Sequence, residues 1–130
     1  MAITCNEGYH QIAHLVTGVA GGTTFTYVAI GTGTGQTAAS TTLATESAAS
    51  GLARAAATCT VETTTVTSDT MQWYKVWSSL ATATITEWGA FNNAVKDAGG
   101  MLMYAELSPS AALVSGDTLT ITGKCQLKAG

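Results

Sequence analysis

An antiparallel β-sandwich, jelly-roll-like and entered through a short N-terminal helix, is the all-β fold that this 130-residue sequence predicts. The clearest sign is the segment 118–128. Leu119, Ile121, Gly123, Cys125 and Leu127 fall on one face, and Thr118, Thr120, Thr122, Lys124, Gln126 and Lys128 on the other. That period of two belongs to an antiparallel strand with one buried face. A second sign is that β-branched and aromatic units recur about every ten residues, the spacing of sandwiches and barrels. One domain over 1–130 is expected at this length, with no fixed-period repeat and no internal boundary.

Residues 4–18 read as the helix. Thr4 and Glu7 have the spacing of a capping box, Tyr9, Ile12, Leu15 and Val16 form an apolar stripe, and Gly18 is placed as a C-cap. The period then changes. Phe25–Ile30 reads as a strand, followed by a long Gly/Thr/Ala loop over 31–50 with one helical turn near Leu43–Glu46. Strands are expected over 52–67, 71–80 and 83–87, the first two joined at Ser68-Asp69. In the second, Met71, Trp73, Lys75 and Trp77 share one face. Dense turn chemistry covers 92–100. A strand follows over 101–107, then a loop from Pro109 to Gly116, then the last strand.

Composition narrows the function. Only 10% of residues are charged, against 46% hydrophobic, and the formal charge is −3. The basic residues Arg54, Lys75, Lys96, Lys124 and Lys128 are scattered, so no nucleic-acid footprint is expected. No apolar run approaches the length of a membrane-spanning helix, and Met1–Thr4 does not open a signal peptide. The three Trp, four Tyr and two Phe argue against disorder. Cys5, Cys59 and Cys125 form no CxxC pair, so free thiols are expected, with Cys125 buried.

Candidate chemistry is sparse. His10 and His14 stand four apart with Glu7 one turn earlier, a spacing that can bind zinc. Gln11 breaks the H-E-x-x-H pattern, and a plain polar helix face is the preferred reading, with no metal. The GTGTG run at 31–35 follows a strand but matches no phosphate-binding motif; a flexible turn needing positive φ is expected. No G-x-S-x-G elbow is present, and no enzyme activity or cofactor is expected. Trp73, Trp77, Trp88 and Phe91 could form a sugar-binding platform, although sandwich core is preferred.

Two stretches carry a resemblance. Thr4 to Gly18, with the strand ending Ile30-Gly31-Thr32-Gly33, resembles a helix–strand pattern of bacteriophage virion proteins. Ile85 to Asn92, Gly99 to Ala105 and Ser115 to Thr122 are similar to the ITExGxFN … GGxML … GDxLTIT signature of small phage structural proteins, of which tail-collar fibre domains carry a related form. The resemblance implies a non-enzymatic virion protein, made in the host cytoplasm, that self-associates and binds capsid or tail components. Collar fibres usually continue into a repetitive shaft, and this chain stops at Gly130. The leading expectation is therefore a capsid decoration (cement) protein, and the alternative is a tail-collar, neck or tail-fibre adaptor. A carbohydrate-binding module ranks below both. Low charge, with aromatics and Met, suits interface cores. Expected contacts are Thr32, Thr34, Gln36, Thr41 and Thr42 on the loop, with Met101, Met103 and Tyr104 on the strand.

Overall fold

A computed structural model of the chain describes residues 2–129. Among these residues the elements are β1 (Ala2–Thr4), α1 (Asn6–Thr17), β2 (Tyr27–Gly31), β3 (Ala55–Ala56), β4 (Thr58–Glu62), β5 (Thr70–Ser78), β6 (Ala83–Phe91), β7 (Met101–Leu113) and β8 (Thr118–Gln126). They form two antiparallel sheets, of order β1-β7-β6-β2-β3 and β4-β5-β8. The larger sheet packs on the smaller, so the fold is all-β and sandwich-like with one short helix.

Alternation decides what fills the space between the sheets. Trp73 and Trp77 of β5 and Ile121 of β8 meet Val28 and Ile30 of β2 and Ile85 and Trp88 of β6. Gly123 of β8 lies under Trp88, whose ring occupies the space that a Cβ would need. A strand glycine otherwise weakens a sheet, and here it admits a large ring. The opposite face of the larger sheet carries a second apolar cluster that includes Cys5, Ala29, Leu43, Phe91, Met101 and Tyr104. Residues 32–46 lie over that face, so this sheet is covered on both sides, while Leu52 and Ala53 turn in to the sandwich core beside Trp77.

Several expected boundaries move. The helix starts at Asn6 and not at Thr4. Thr4 pairs with Met103 in β1, and Cys5 N donates to Leu102 O. Cys5 is the N-cap without a side-chain cap, so the capping box does not form. Sheet pairing has outcompeted it. Gly18 does close the helix, with φ 69°. The helix docks through Gly8 and Gln11, because Leu102 fills the space beside Gly8. Ile12 packs partly against the core, while Tyr9, Leu15 and Val16 remain exposed.

The single strand expected over 52–67 is split. β3 joins the larger sheet, β4 joins the smaller, and Ala57 N bonds Thr26 O at the crossing. β6 continues to Phe91, with Trp88 and Ala90 still facing the sandwich core. β7 continues to Leu113 through a cis Ser108–Pro109 peptide. Pro109 falls where the β6–β7 register slips, a position at which its missing N–H is tolerated.

A carboxylate-pinned loop layer and the family of the chain

The segment 32–54 has little regular structure, yet three acidic side chains fix it. Glu87 of β6 is fully buried. Its Oε1 accepts the amides of Gly33 at 3.1 Å and Thr45 at 3.0 Å, and its Oε2 accepts Ala44 N at 3.3 Å. Thr86 Oγ1 beside it donates to Gly33 O at 2.6 Å. A Cβ on Gly31 or Gly33 would run into the Glu87 carboxylate and the 44–45 segment. Close approach therefore requires these two glycines. Of the GTGTG run, only Gly35 has positive φ, at 82°, which corrects the expected reason for the run. The anion that this loop cradles is internal: Glu87 takes the Gly33 amide, and Glu106 takes Gly35 N at 2.8 Å.

Glu46 and Arg54 make the second anchor. Arg54 Nε donates to Glu46 Oε1 at 2.9 Å and Nη2 to Oε2 at 2.7 Å, a two-pronged pair. The two side chains are 2% and 0% exposed. Arg54 Nη1 also donates to the carbonyls of Asn93 and Ala98, each at 2.9 Å. The guanidinium carbon sits 3.7 Å from the centre of the Phe91 ring. One cation thus ties the loop, the 92–100 turn and β6 together. In the third anchor, the buried Tyr104 hydroxyl donates to Glu106 Oε1 at 2.6 Å. Burial and the Glu106 carboxylate push the phenol up to about 12. The same bond, with the Gly35 amide, holds Glu106 below its ordinary value.

The expected contact residues divide. Thr32, Thr34 and Thr41 are exposed on the loop layer, and Gln36 and Thr42 are half-buried there. Met101, Met103 and Tyr104 are buried, at 0, 3 and 2% exposure. Met101 and Tyr104 face the loop layer, and Met103 faces the sandwich core. As placed, these three offer no side chain to a partner. A strand buried on both faces reads as a continuous apolar run, and 101–105 is such a run.

The aromatic platform is also absent. Trp73, Trp77 and Trp88 are 3, 3 and 7% exposed. The indole N–H groups of Trp73 and Trp77 donate inward, to Phe25 O at 2.6 Å and Ala53 O at 2.8 Å. The His10 and His14 rings lie 4.6 Å apart, and Glu7 accepts from Gln11 Nε2 at 2.7 Å. Among the described residues no three His, Cys, Asp or Glu side chains converge on a metal position. The three cysteines form no disulfide; burial raises each thiol, and Cys125 is half-buried. An apolar groove of about 380 Å³ opens between α1 and the β4–β5 hairpin, with Ile12, Leu15, Val61 and Met71 among its walls. No helix among the described residues is long and apolar enough to cross a membrane.

Residues 9–128 match the family of podophage GP4 fiber I protein gp80. The chain belongs to this fibre-protein family. It is accordingly a bacteriophage virion structural protein, associated with other components of the particle. No curated protein matches the chain. The matched span contains the loop layer and both sheets apart from β1.

The stretches 85–92, 99–105 and 115–122 have a structural meaning in this fibre-family chain. In Ile85–Asn92, Ile85 fills the core, Glu87 pins the loop, and Phe91 lies under Arg54. A Cβ on Gly89 would press on the Met101 sulfur and Met103 O. Asn92 Oδ1 accepts Gly100 N at 2.7 Å, and its Nδ2 donates to Thr23 Oγ1 at 2.7 Å. Gly99 turns with φ 74°. Asp117 Oδ2 accepts Val114 N at 2.8 Å beside Gly116, whose φ is 96°. These stretches specify how this sandwich closes.

Proposed function

We propose that the chain is a tail-fibre or fibre-adaptor component that works by contact and without catalysis. The family match over residues 9–128 carries this reading. It reverses the order of the two sequence-based expectations, in which head decoration came first. The burial of Glu46, Arg54 and Glu87 in loop-holding contacts supports a non-catalytic role, since their polar atoms are engaged by the protein itself.

The contact surface in this reading is the outer side of the loop layer, with Thr32, Thr34 and Thr41. Its threonines are polar and uncharged, so burying them strands no charge. The anchors beneath keep the surface preorganised, which lowers the ordering cost on binding. Many copies would make weak contacts sufficient.

The test is gold labelling of intact particles with an antibody to this chain, viewed by negative stain. Label on tails and their fibres is expected. Label spread over heads would overturn the fibre reading and restore decoration.

A further inference from the structure

Sheet edges are a hazard that proteins blunt by keeping edge strands short, charged or covered. Two of the four edges here follow that rule in length, β1 with 3 residues and β3 with 2, and the third, β4, has 5. The fourth, β8, has 9 residues, and among the described residues no strand pairs with its outer side. It contains no proline, and its one charge is Lys124.

The ladder shows which groups face outward. Ser79 N donates to Asp117 O, and Leu127 N donates to Asp69 O. Antiparallel bonding alternates along a strand. The odd-numbered residues of β8 therefore bond β5, and the backbone groups of Thr118, Thr120, Thr122, Lys124 and Gln126 point away from it. The side chains of Thr118, Thr120, Thr122 and Lys124 are exposed.

We propose that this edge pairs with the β8 edge of a second copy, antiparallel about a two-fold axis through Thr122. That register pairs the whole strand with itself. Thr118 meets Gln126, Thr120 meets Lys124, and Thr122 meets its own copy. All five pairs fall on outward-facing backbone positions, so every outward N–H and C=O gains a partner. Lys124 lies opposite a threonine. A register centred two residues later would set two ammonium groups face to face, which is unfavourable. On the inner side Ile121 meets Gly123, a large residue against a small one. The strand is thus compatible with its own copy in length, charge and bulk, and the two small sheets become one of six strands. The proposal stands apart from the fibre assignment, because the purified chain suffices to test it.

The experiment is sedimentation velocity of the purified chain from micromolar to hundreds of micromolar, paired with amide exchange by NMR. A monomer–dimer equilibrium is expected, with the amides of Thr120, Thr122 and Lys124 becoming protected as dimer forms. Thr122→Pro removes the central outward N–H and leaves the β5 ladder intact, so it should sediment as a monomer. Should that variant misfold, Thr122→Lys serves, since it sets like charges opposite each other on an exposed face. It should weaken the dimer at least tenfold, with partial recovery in high salt. A wild-type chain that stays monomeric throughout would overturn the proposal. So would a dimer indifferent to Thr122→Lys with these amides unprotected, or an edge that pairs only with a strand of another protein.

Discussion

Replacing Arg54 with Met should destabilise the protein more than removing both partners of its ion pair. In Arg54→Met the fully buried Glu46 carboxylate loses both guanidinium bonds and keeps only the Asp97 amide at 3.4 Å. Breaking a buried pair in this way costs about 3–5 kcal/mol, because the remaining charge is uncompensated. For a chain of this size roughly 3–5 °C of melting temperature corresponds to 1 kcal/mol. A drop of about 10–25 °C follows from those two figures. Arg54→Met with Glu46→Leu removes the stranded charge. It still leaves the Asn93 and Ala98 carbonyls without their donor, at about 1 kcal/mol each. The double variant should therefore melt above the single one. Calorimetry or circular dichroism reads the order directly, and proteolysis within 32–54 should accelerate most in the single variant. A single variant costing under about 1 kcal/mol, or a double variant at the sum of its singles, would refute the anchoring role.

Further expectations concern packing and pH. Gly123→Ala should cost about 1–3 kcal/mol by chemical denaturation, because the Trp88 ring holds the space of the new methyl. Asp69 is held well below the usual carboxylate range by the Val66 amide, then the Gln126 side chain and the Thr64 and Thr65 amides. Its contribution is present above the unfolded carboxylate value and fades as pH falls through the folded one. Asp69→Asn should thus be less stable at neutral pH, with the gap closing in acid urea titrations. Tyr104, raised to about 12, works in the opposite direction. Its contribution is present below the ordinary tyrosine value of about 10 and is lost as pH rises toward 12. Absorbance titration should find one late tyrosine that disappears in Tyr104→Phe, with weaker alkaline destabilisation.

The residues that were legible in the sequence share one property: their pattern is local. β8 was readable because its period of two is unbroken, and the Trp73/Trp77 face of β5 because one side of it is wet. What escaped depends on distant partners. Glu87 reaches amides 42 to 54 residues away, and Arg54 reaches carbonyls 39 and 44 residues away. No window contains both ends of such contacts. The capping box at Thr4 was a sound local signal that lost to pairing with Met103, a residue far along the chain. The burial of Met101, Met103 and Tyr104 escaped because a strand covered on both sides has no alternation to reveal its faces. Two buried carboxylates and one buried arginine hold the candidate surface, and composition alone counts them as ordinary surface charge.

Membership of a fibre-protein family makes position on the particle the central claim. Cryo-electron microscopy of the intact phage tests it most directly. A five-plus-three sandwich with a loop layer over its larger sheet should fit density in the tail-fibre region. The same sandwich found instead across the head lattice, with none at the fibres, would contradict the account.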